Sequence, residues 1–303
     1  SFKNRLRFRP VEQLVQQALG SASRSRVPVA QADCDGDGRP EACLRTSAMS
    51  LLVDPADGGA ITEWNLYGPK INLVDTLSRR VEPYHAKLKP RSTQPASAGQ
   101  RVSSIHDALG VKEEHLEAYL IYDDHRRSAF LDYALQGMPT LQDVVRSTWG
   151  ERRLWSQGPY AFERGAGVVM VRQVGERTIR KTVRVGASRP TVECVYELAG
   201  PGVPVVALEF NLSLRDERYL TQPGERTGVT RFDVREAASG VSLQVQLDEP
   251  ATVFHFPVET VSESEGGLER TYQGLCLMCV WPCEPTASRR PWTRRVQWTI
   301  GSC

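Results

Sequence analysis

Val241-Ser242-Leu243-Gln244-Val245-Gln246-Leu247 alternates apolar and polar residues without a break. Successive side chains of a strand point to opposite faces, so this stretch predicts a strand with one buried and one solvated face. The pattern recurs at Val192, Cys194, Tyr196 and Leu198, then at Val206, Leu208, Phe210, Leu212 and Leu214. It returns at Val296, Trp298 and Ile300. One buried face per strand is the habit of antiparallel sheets. Gly175-Glu176, between Val168–Val174 and Thr178–Val185, predicts a hairpin. Leu51-Leu52-Val53 runs into an Asp54-Pro55-Ala56-Asp57-Gly58-Gly59 turn. No strand–helix–strand rhythm recurs, which argues against a TIM barrel or a doubly wound sheet.

The sequence thus reads as all-β: one large antiparallel β-sandwich over residues 27–303, preceded by a short N-terminal helix. Val11, Leu14, Val15, Ala18 and Leu19 carry that helix, with Pro10 near its entry, Gly20 past its end and a Ser/Arg linker over 21–26. A helix this short builds no core alone and must pack on something. Residues 89–100 and 136–149 read as surface loops.

Composition narrows the function. The chain has 303 residues, 40% hydrophobic and 24% charged, which is ordinary globular material. Its 38 basic against 36 acidic residues lack the clustered positive charge of a nucleic-acid partner. No apolar run approaches the ~20 residues of a membrane span. Seven cysteines at irregular spacing, with no visible secretory signal, predict a cytoplasmic protein with mostly free thiols.

The sharpest local signal is Asp33-Cys34-Asp35-Gly36-Asp37-Gly38-Arg39-Pro40-Glu41. Asp at loop positions 1, 3 and 5 with Gly at 6 opens a calcium loop, since Ca²⁺ takes several hard oxygens at once. Asp33, Asp35 and Asp37, the Arg39 carbonyl and Glu41 are the expected ligands. Leu44 stands where such a loop normally carries its bidentate Glu, so a Gly-rich hairpin with solvated acids is the alternative. Cys276-x-x-Cys279 lacks the second ligand pair of a zinc site. If 275–281 is a strand, its two thiols point to opposite faces and are structural. Two further clusters are dense in Asp, Arg, His and Tyr, namely 77–85 and 122–128. Such groups suit sugar hydroxyls or a polar interface, or serve as a mutual salt-bridge network supporting a domain contact.

These clusters carry a resemblance. Asp75-Thr76-Leu77-Ser78-Arg79-Arg80-Val81-Glu82-Pro83-Tyr84-His85 resembles a segment of the C-terminal region of glycoside hydrolase family 57 enzymes, which are α-amylases and 4-α-glucanotransferases. Leu120-Ile121-Tyr122-Asp123-Asp124-His125-Arg126-Arg127-Ser128-Ala129-Phe130-Leu131-Asp132 resembles a second. Thr260-Val261-Ser262-Glu263-Ser264-Glu265-Gly266-Gly267-Leu268-Glu269, followed by Tyr272-Gln273-Gly274, resembles a third. The Asp33–Glu41 loop has an Asp-Gly-Glu counterpart there, and the order matches from about residue 30 to the end. The resemblance implies a galactose-mutarotase-like β-sandwich (a supersandwich), with residues 1–26 the tail of a helical segment joining it to a catalytic barrel. The family's nucleophile and acid/base lie on that barrel, which no part of this chain matches, so no catalytic residue is carried over. The chain is expected to be an excised C-terminal domain or a protein consisting of that domain alone.

The expected function is therefore a non-catalytic module of an α-glucan-processing enzyme. It would support the barrel of the same parent chain and contact α-glucan or maltooligosaccharide. Arg79, Arg80, Glu82, Tyr84, His85, Asp123, Arg126, Arg127, Ser264 and Glu265 are the expected binding or interface residues, with Trp64, Tyr67 and Tyr122 as sugar-stacking candidates. One alternative is a free-standing aldose epimerase or mutarotase, with His85 or His125 and Glu193 or Glu209 astride a sugar ring. Another is a purely structural interaction domain.

Overall fold

The computed structural model describes residues 27–88, 115–150, 153–155, 157–220, 222–265, 267–283 and 291–302. The helix expected over Val11–Leu19 and the loop expected over 89–100 lie outside them. All strand pairings in the described chain are antiparallel.

One layer follows the order β1 (Val29–Ala32), β2 (Glu41–Arg45), β3 (Met49–Asp54), β4 (Ala60–Leu66), β6 (Ala129–Leu135), β12 (Val205–Leu212), β15 (Gly267–Pro282). Short β5 (Ile71–Asn72) and β7 (Arg153–Trp155) pair with β4 and β6. The other layer follows β16 (Trp292–Ser302), β11 (Thr191–Ala199), β10 (Arg177–Val185), β9 (Val168–Val174), β8 (Ala161–Glu163). The two are joined by β14 (Val241–Ser264). Its first part, Val241–Leu247, pairs with β16, and its second, Thr252–Ser264, pairs with β15. Asp248-Glu249-Pro250 lies between them, and a proline there removes a ladder donor where the strand changes sheets. β13 (Gly224–Glu236) runs beside β14 along both parts.

The layers close on one core. Trp64 of β4 meets Trp298 of β16 edge-on at 5.9 Å, and Phe210 of β12 lies 5.0 Å from the same indole. The alternating residues read from the sequence in β11, β12, β14 and β16 nearly all point here; Ile300 packs at its margin. The hairpin at Gly175-Glu176 forms as expected, with Arg177 opposite Val174. One polar group crosses this core. Lys181 of β10 is fully buried, and its Nζ donates to Gly58 O (2.9 Å), to Asp132 Oδ1 (3.0 Å) and to the Phe130 carbonyl. Tyr160 also donates to Asp132, at 3.0 Å.

The first layer is buried on its outer face too, where Phe254, Phe256, Cys276, Met278 and Val280 form a second cluster. Cys279 lies in the inner core and Cys276 in this outer one, as strand alternation requires. The stretch expected as a loop over 136–149 contains a short helix, α1 (Leu141–Val145). The reason is a capping box: Thr140 Oγ1 accepts from the Asp143 N–H, and Asp143 accepts from the Thr140 N–H. The α1 segment lays Val144 and Trp149 over the outer cluster. Among the described residues, no helix is long and apolar enough to cross a membrane.

Candidate functional site

Glu209 follows Leu208 on β12, so it faces outward while Leu208 faces the core. The outer face is covered there, and Glu209 is 1% exposed. A buried carboxylate needs partners. Arg127 Nη1 donates to its Oε1 at 3.0 Å, Asn211 Nδ2 at 2.7 Å, and Tyr133 donates to Oε2 at 2.9 Å. Arg127 continues to Asp123 (Nη2–Oδ1, 2.7 Å), which also receives Arg79 (Nη2–Oδ1, 2.6 Å) and the Arg79 backbone N–H (2.8 Å). Arg79 further donates to Val145 O and Ser147 Oγ at 2.9 and 3.0 Å, tying the network to α1. Burial alone would raise the Asp123 carboxyl, but Arg127 and Arg79 hold it far below its usual range. Burial would likewise raise Glu209, yet His125 and Arg127 bring it down to about 2. Arg79, Asp123 and Arg127 are thus engaged with one another beneath the surface.

This network pins the segment above it. Residues 75–82 form no helix or strand, yet Arg79 is 3% exposed while Leu77 and Val81 are 62% and 70% exposed. His85, in the 3-10 turn Pro83–Leu88, anchors the far end. Its Nδ1 accepts from the Glu82 N–H, leaving Nε2 to donate to Val261 O at 3.0 Å. Tyr122 lies 3.2 Å from the same Nδ1.

Above the network lies a cavity of about 430 Å³. The three segments that carry the sequence resemblance meet around it. The first contributes Asp75–Ser78, Arg80, Glu82 and Tyr84; the second, Arg126–Ser128; the third, Thr260–Ser262 and Gln273. Gly274, beside Gln273, must be glycine: a Cβ would come within 2.3 Å of Thr76 Oγ1 and 2.8 Å of Leu212 O. Thr62, Thr76, Ser128 and Gln273 join the cavity without having stood out as site residues in the sequence. Their signal was membership of the resembling segments for the last three, and none for Thr62.

The remaining candidates lie elsewhere. Trp64 is completely buried in the core, so its rings serve packing. Tyr67 is half-buried under the Arg45 guanidinium, 5.4 Å from its ring centroid. Ser264 and Glu265 are exposed at the β14–β15 turn, where Ser264 Oγ donates to Gly267 O at 3.1 Å. Of the epimerase pairs, Glu193 on β11 binds Arg184 and Arg295 in the other layer. His125 and Glu209 do meet, at 3.3 Å, but by bonding each other with side chains 5% and 1% exposed. A base and an acid in direct contact leave no room for a sugar ring between them.

At the other end of the layer, the Asp33–Glu41 loop brings carboxylates of Asp33, Asp35, Asp37 and Glu41 within 4.8 Å of one another. Asp33 accepts from the Gly36 and Gly38 N–H groups at 2.7 and 3.0 Å, both glycines at positive φ. Glu41 is 2% exposed and accepts from the Cys34 N–H at 2.5 Å. Leu44, at the position of the missing Glu, is buried in the core on β2. Burial, with Asp35 and Asp54 nearby, raises the Glu41 carboxyl.

Comparison with known proteins agrees with this architecture. The family model "Alpha-amylase/4-alpha-glucanotransferase, C-terminal" matches residues 33–294. The chain is 27% identical over 269 residues to alpha-amylase 1 of Dictyoglomus thermophilum, covering 81% of this chain and 38% of that protein. It is 28% identical over 257 residues to a 4-alpha-glucanotransferase of Thermococcus kodakarensis, covering 83% and 38%. The chain thus spans somewhat over a third of the curated relatives it matches. The crystal structure of the 4-alpha-glucanotransferase from Thermococcus litoralis superposes with a TM-score of 0.71 at 22% identity, over 90% of this chain and 40% of that one. With most of its length matched by the family model and the β-sandwich shared, the chain belongs to the family of α-amylase/4-α-glucanotransferase C-terminal domains.

Proposed function

We propose that this chain is the non-catalytic β-sandwich of an α-amylase or 4-α-glucanotransferase and docks against the catalytic barrel of the same parent protein. The observation that carries the reading is the 77–81 ridge. Leu77 and Val81 are more than half exposed, while Arg79 between them is locked by buried ion pairs. An isolated exposed apolar residue needs no explanation. Two on one rigidly held segment, beside a polar cavity, suit an interface with an apolar centre and a polar rim. The charged residues of the described network are saturated by one another, which suits a supporting role. The six described free cysteines suit a reducing, cytoplasmic setting.

The test is to mix the chain with the separately expressed catalytic barrel and measure association by sedimentation. A one-to-one complex is expected, with Leu77→Asp/Val81→Asp weakening it at least tenfold at unchanged melting temperature. No complex, or a complex indifferent to both substitutions, would contradict the reading.

We further propose that the Asp33 loop binds Ca²⁺ through Asp33, Asp35, Asp37, Glu41 and the Arg39 carbonyl. Converging carboxylates and a Glu41 carboxyl raised by burial and its acidic neighbours support this, because a divalent cation relieves that crowding.

A further inference from the structure

β14 closes the sandwich on one side by passing from one layer into the other, and the opposite side is open. There the layers end in β1 and β8. Among the described residues each is paired along one edge alone, β1 with β2 and β8 with β9. A groove of about 800 Å³ runs between them. Val27, Val29 and Leu44 line it on the β1 side, and Phe162, Val168 and Val185 on the β8 side. Leu44 and Val168 are core residues, while the other four are half-buried and pack against the core. Gly165, Ala166 and Gly167 raise no large side chain over the groove. Arg184 holds this wall in place, donating from Nε to Ala166 O at 2.9 Å.

The chain itself supplies an occupant. Residues 1–26 lie outside the described residues, and they join the fold at Val27, on the groove wall. Val11, Leu14, Val15, Ala18 and Leu19 are spaced i, i+3, i+4, i+7 and i+8, which makes one apolar stripe on a helix. Glu12, Gln13, Gln16 and Gln17 fall between them and supply the polar face. A helix over Val11–Leu19 is about 14 Å long, and the four-residue edge of β1 spans about the same. Residues 20–26 reach at most about 25 Å when extended, enough for the helix to fold back over the groove from which the chain leaves. Exposed sheet edges are commonly covered by a helix or loop in this way.

We propose that residues 11–19 dock as a helix in this groove, their apolar stripe against Val27, Val29, Phe162 and Val185, and close the open side of the sandwich over β1 and β8. The stripe is too short to hold a helix alone, and the groove leaves apolar surface half-covered, so each supplies what the other lacks. The short tether keeps the stripe at roughly millimolar effective concentration, so modest apolar contact suffices. The inference rests on the groove and the stripe, not on the docking of the barrel. The Leu77–Val81 ridge lies beside a different cavity, with no lining residue in common.

The test is hydrogen–deuterium exchange on the full 303-residue chain in three forms. These are the unsubstituted chain, Leu14→Asp/Leu19→Asp on the stripe, and Gln13→Asp/Gln17→Asp, which puts the same charge on the opposite helix face. Amides over 11–19 are expected to exchange at least tenfold faster in the stripe variant than in the other two. Amides over 27–32 and 161–168 should speed up with them, while β12 and β15 stay unchanged. Phe162→Ala is expected to release the same protection over 11–19 from the groove side. Equal exchange over 11–19 in all three chains would overturn the proposal, as would groove amides indifferent to the stripe variant. Protection that grows with chain concentration, alongside a dimer in sedimentation, would also overturn it, because a second copy would then fill the groove.

Discussion

Glu209 and its partners make acid stability a property of single residues. The carboxyl lies at about 2 in the folded chain, against about 4.5 when exposed. A depressed carboxyl contributes stability in full above its unfolded value and loses it as pH falls through the folded one, here between about 4.5 and 2. Glu209→Gln is expected to cost about 3–5 kcal/mol at neutral pH, because Arg127 then keeps a buried charge with one partner fewer. It should also flatten the fall in stability across that acid window; urea titrations at stepped pH check both. His125 behaves with the opposite sign. Burial lowers it, but Glu209 and Asp124 raise it above 6.5, so its contribution is complete below that pH and fades as pH rises through the folded value. None of this was visible in the sequence. Glu209 sits at what looks like the solvated position of an alternating strand, and only the cover laid over the outer face makes it a buried group. The convergence of the Asp33-loop carboxylates was legible, because their spacing is local. Millimolar Ca²⁺ is expected to raise the melting temperature by several degrees, and Asp35→Asn to abolish the rise; no rise in the unsubstituted chain would remove the metal.

Among elements, β10 and β6 show how a core accommodates a charge. Lys181 reaches across to Asp132 and two backbone carbonyls, and the Phe130 carbonyl, on a residue at a positive φ of 62°, accepts one of these bonds. Lys181→Met is expected to destabilise the chain by about 3–5 kcal/mol through the carboxylate it leaves unpaired. Adding Asp132→Leu should recover much of the loss, as the coupling between the two sites requires. A single-substitution cost below about 1 kcal/mol in a denaturant melt would show that the pair carries no such weight. The alternating strands were legible because period-2 patterning reports a single buried face. α1 was not, since its signal is the Thr140–Asp143 capping box rather than an apolar period. The turn of β14 from one layer into the other is set by pairing between distant strands, and only Pro250 hints at it.

At the scale of the whole molecule, three resembling segments far apart in sequence close around one cavity. Their grouping could be expected from the resemblance, but their division of labour could not. Arg79, Asp123 and Arg127 pair with one another beneath the surface, whereas Arg80, Glu82 and Arg126 are exposed at the cavity. Neighbouring arginines differ in role because adjacent backbone positions point in different directions, which composition does not report. Trp64 was a plausible sugar platform by residue type, and the closure of the sandwich over it decided otherwise. On the docking proposal, the end of the sandwich carrying Leu77 and Val81 meets the barrel. Hydrogen–deuterium exchange on the chain, alone and in the presence of the barrel, would decide it. Protection confined to residues 75–85 and 122–128, with β8 to β11 unchanged, is the expected result; unchanged exchange over 75–85 in a complex that demonstrably forms would contradict it.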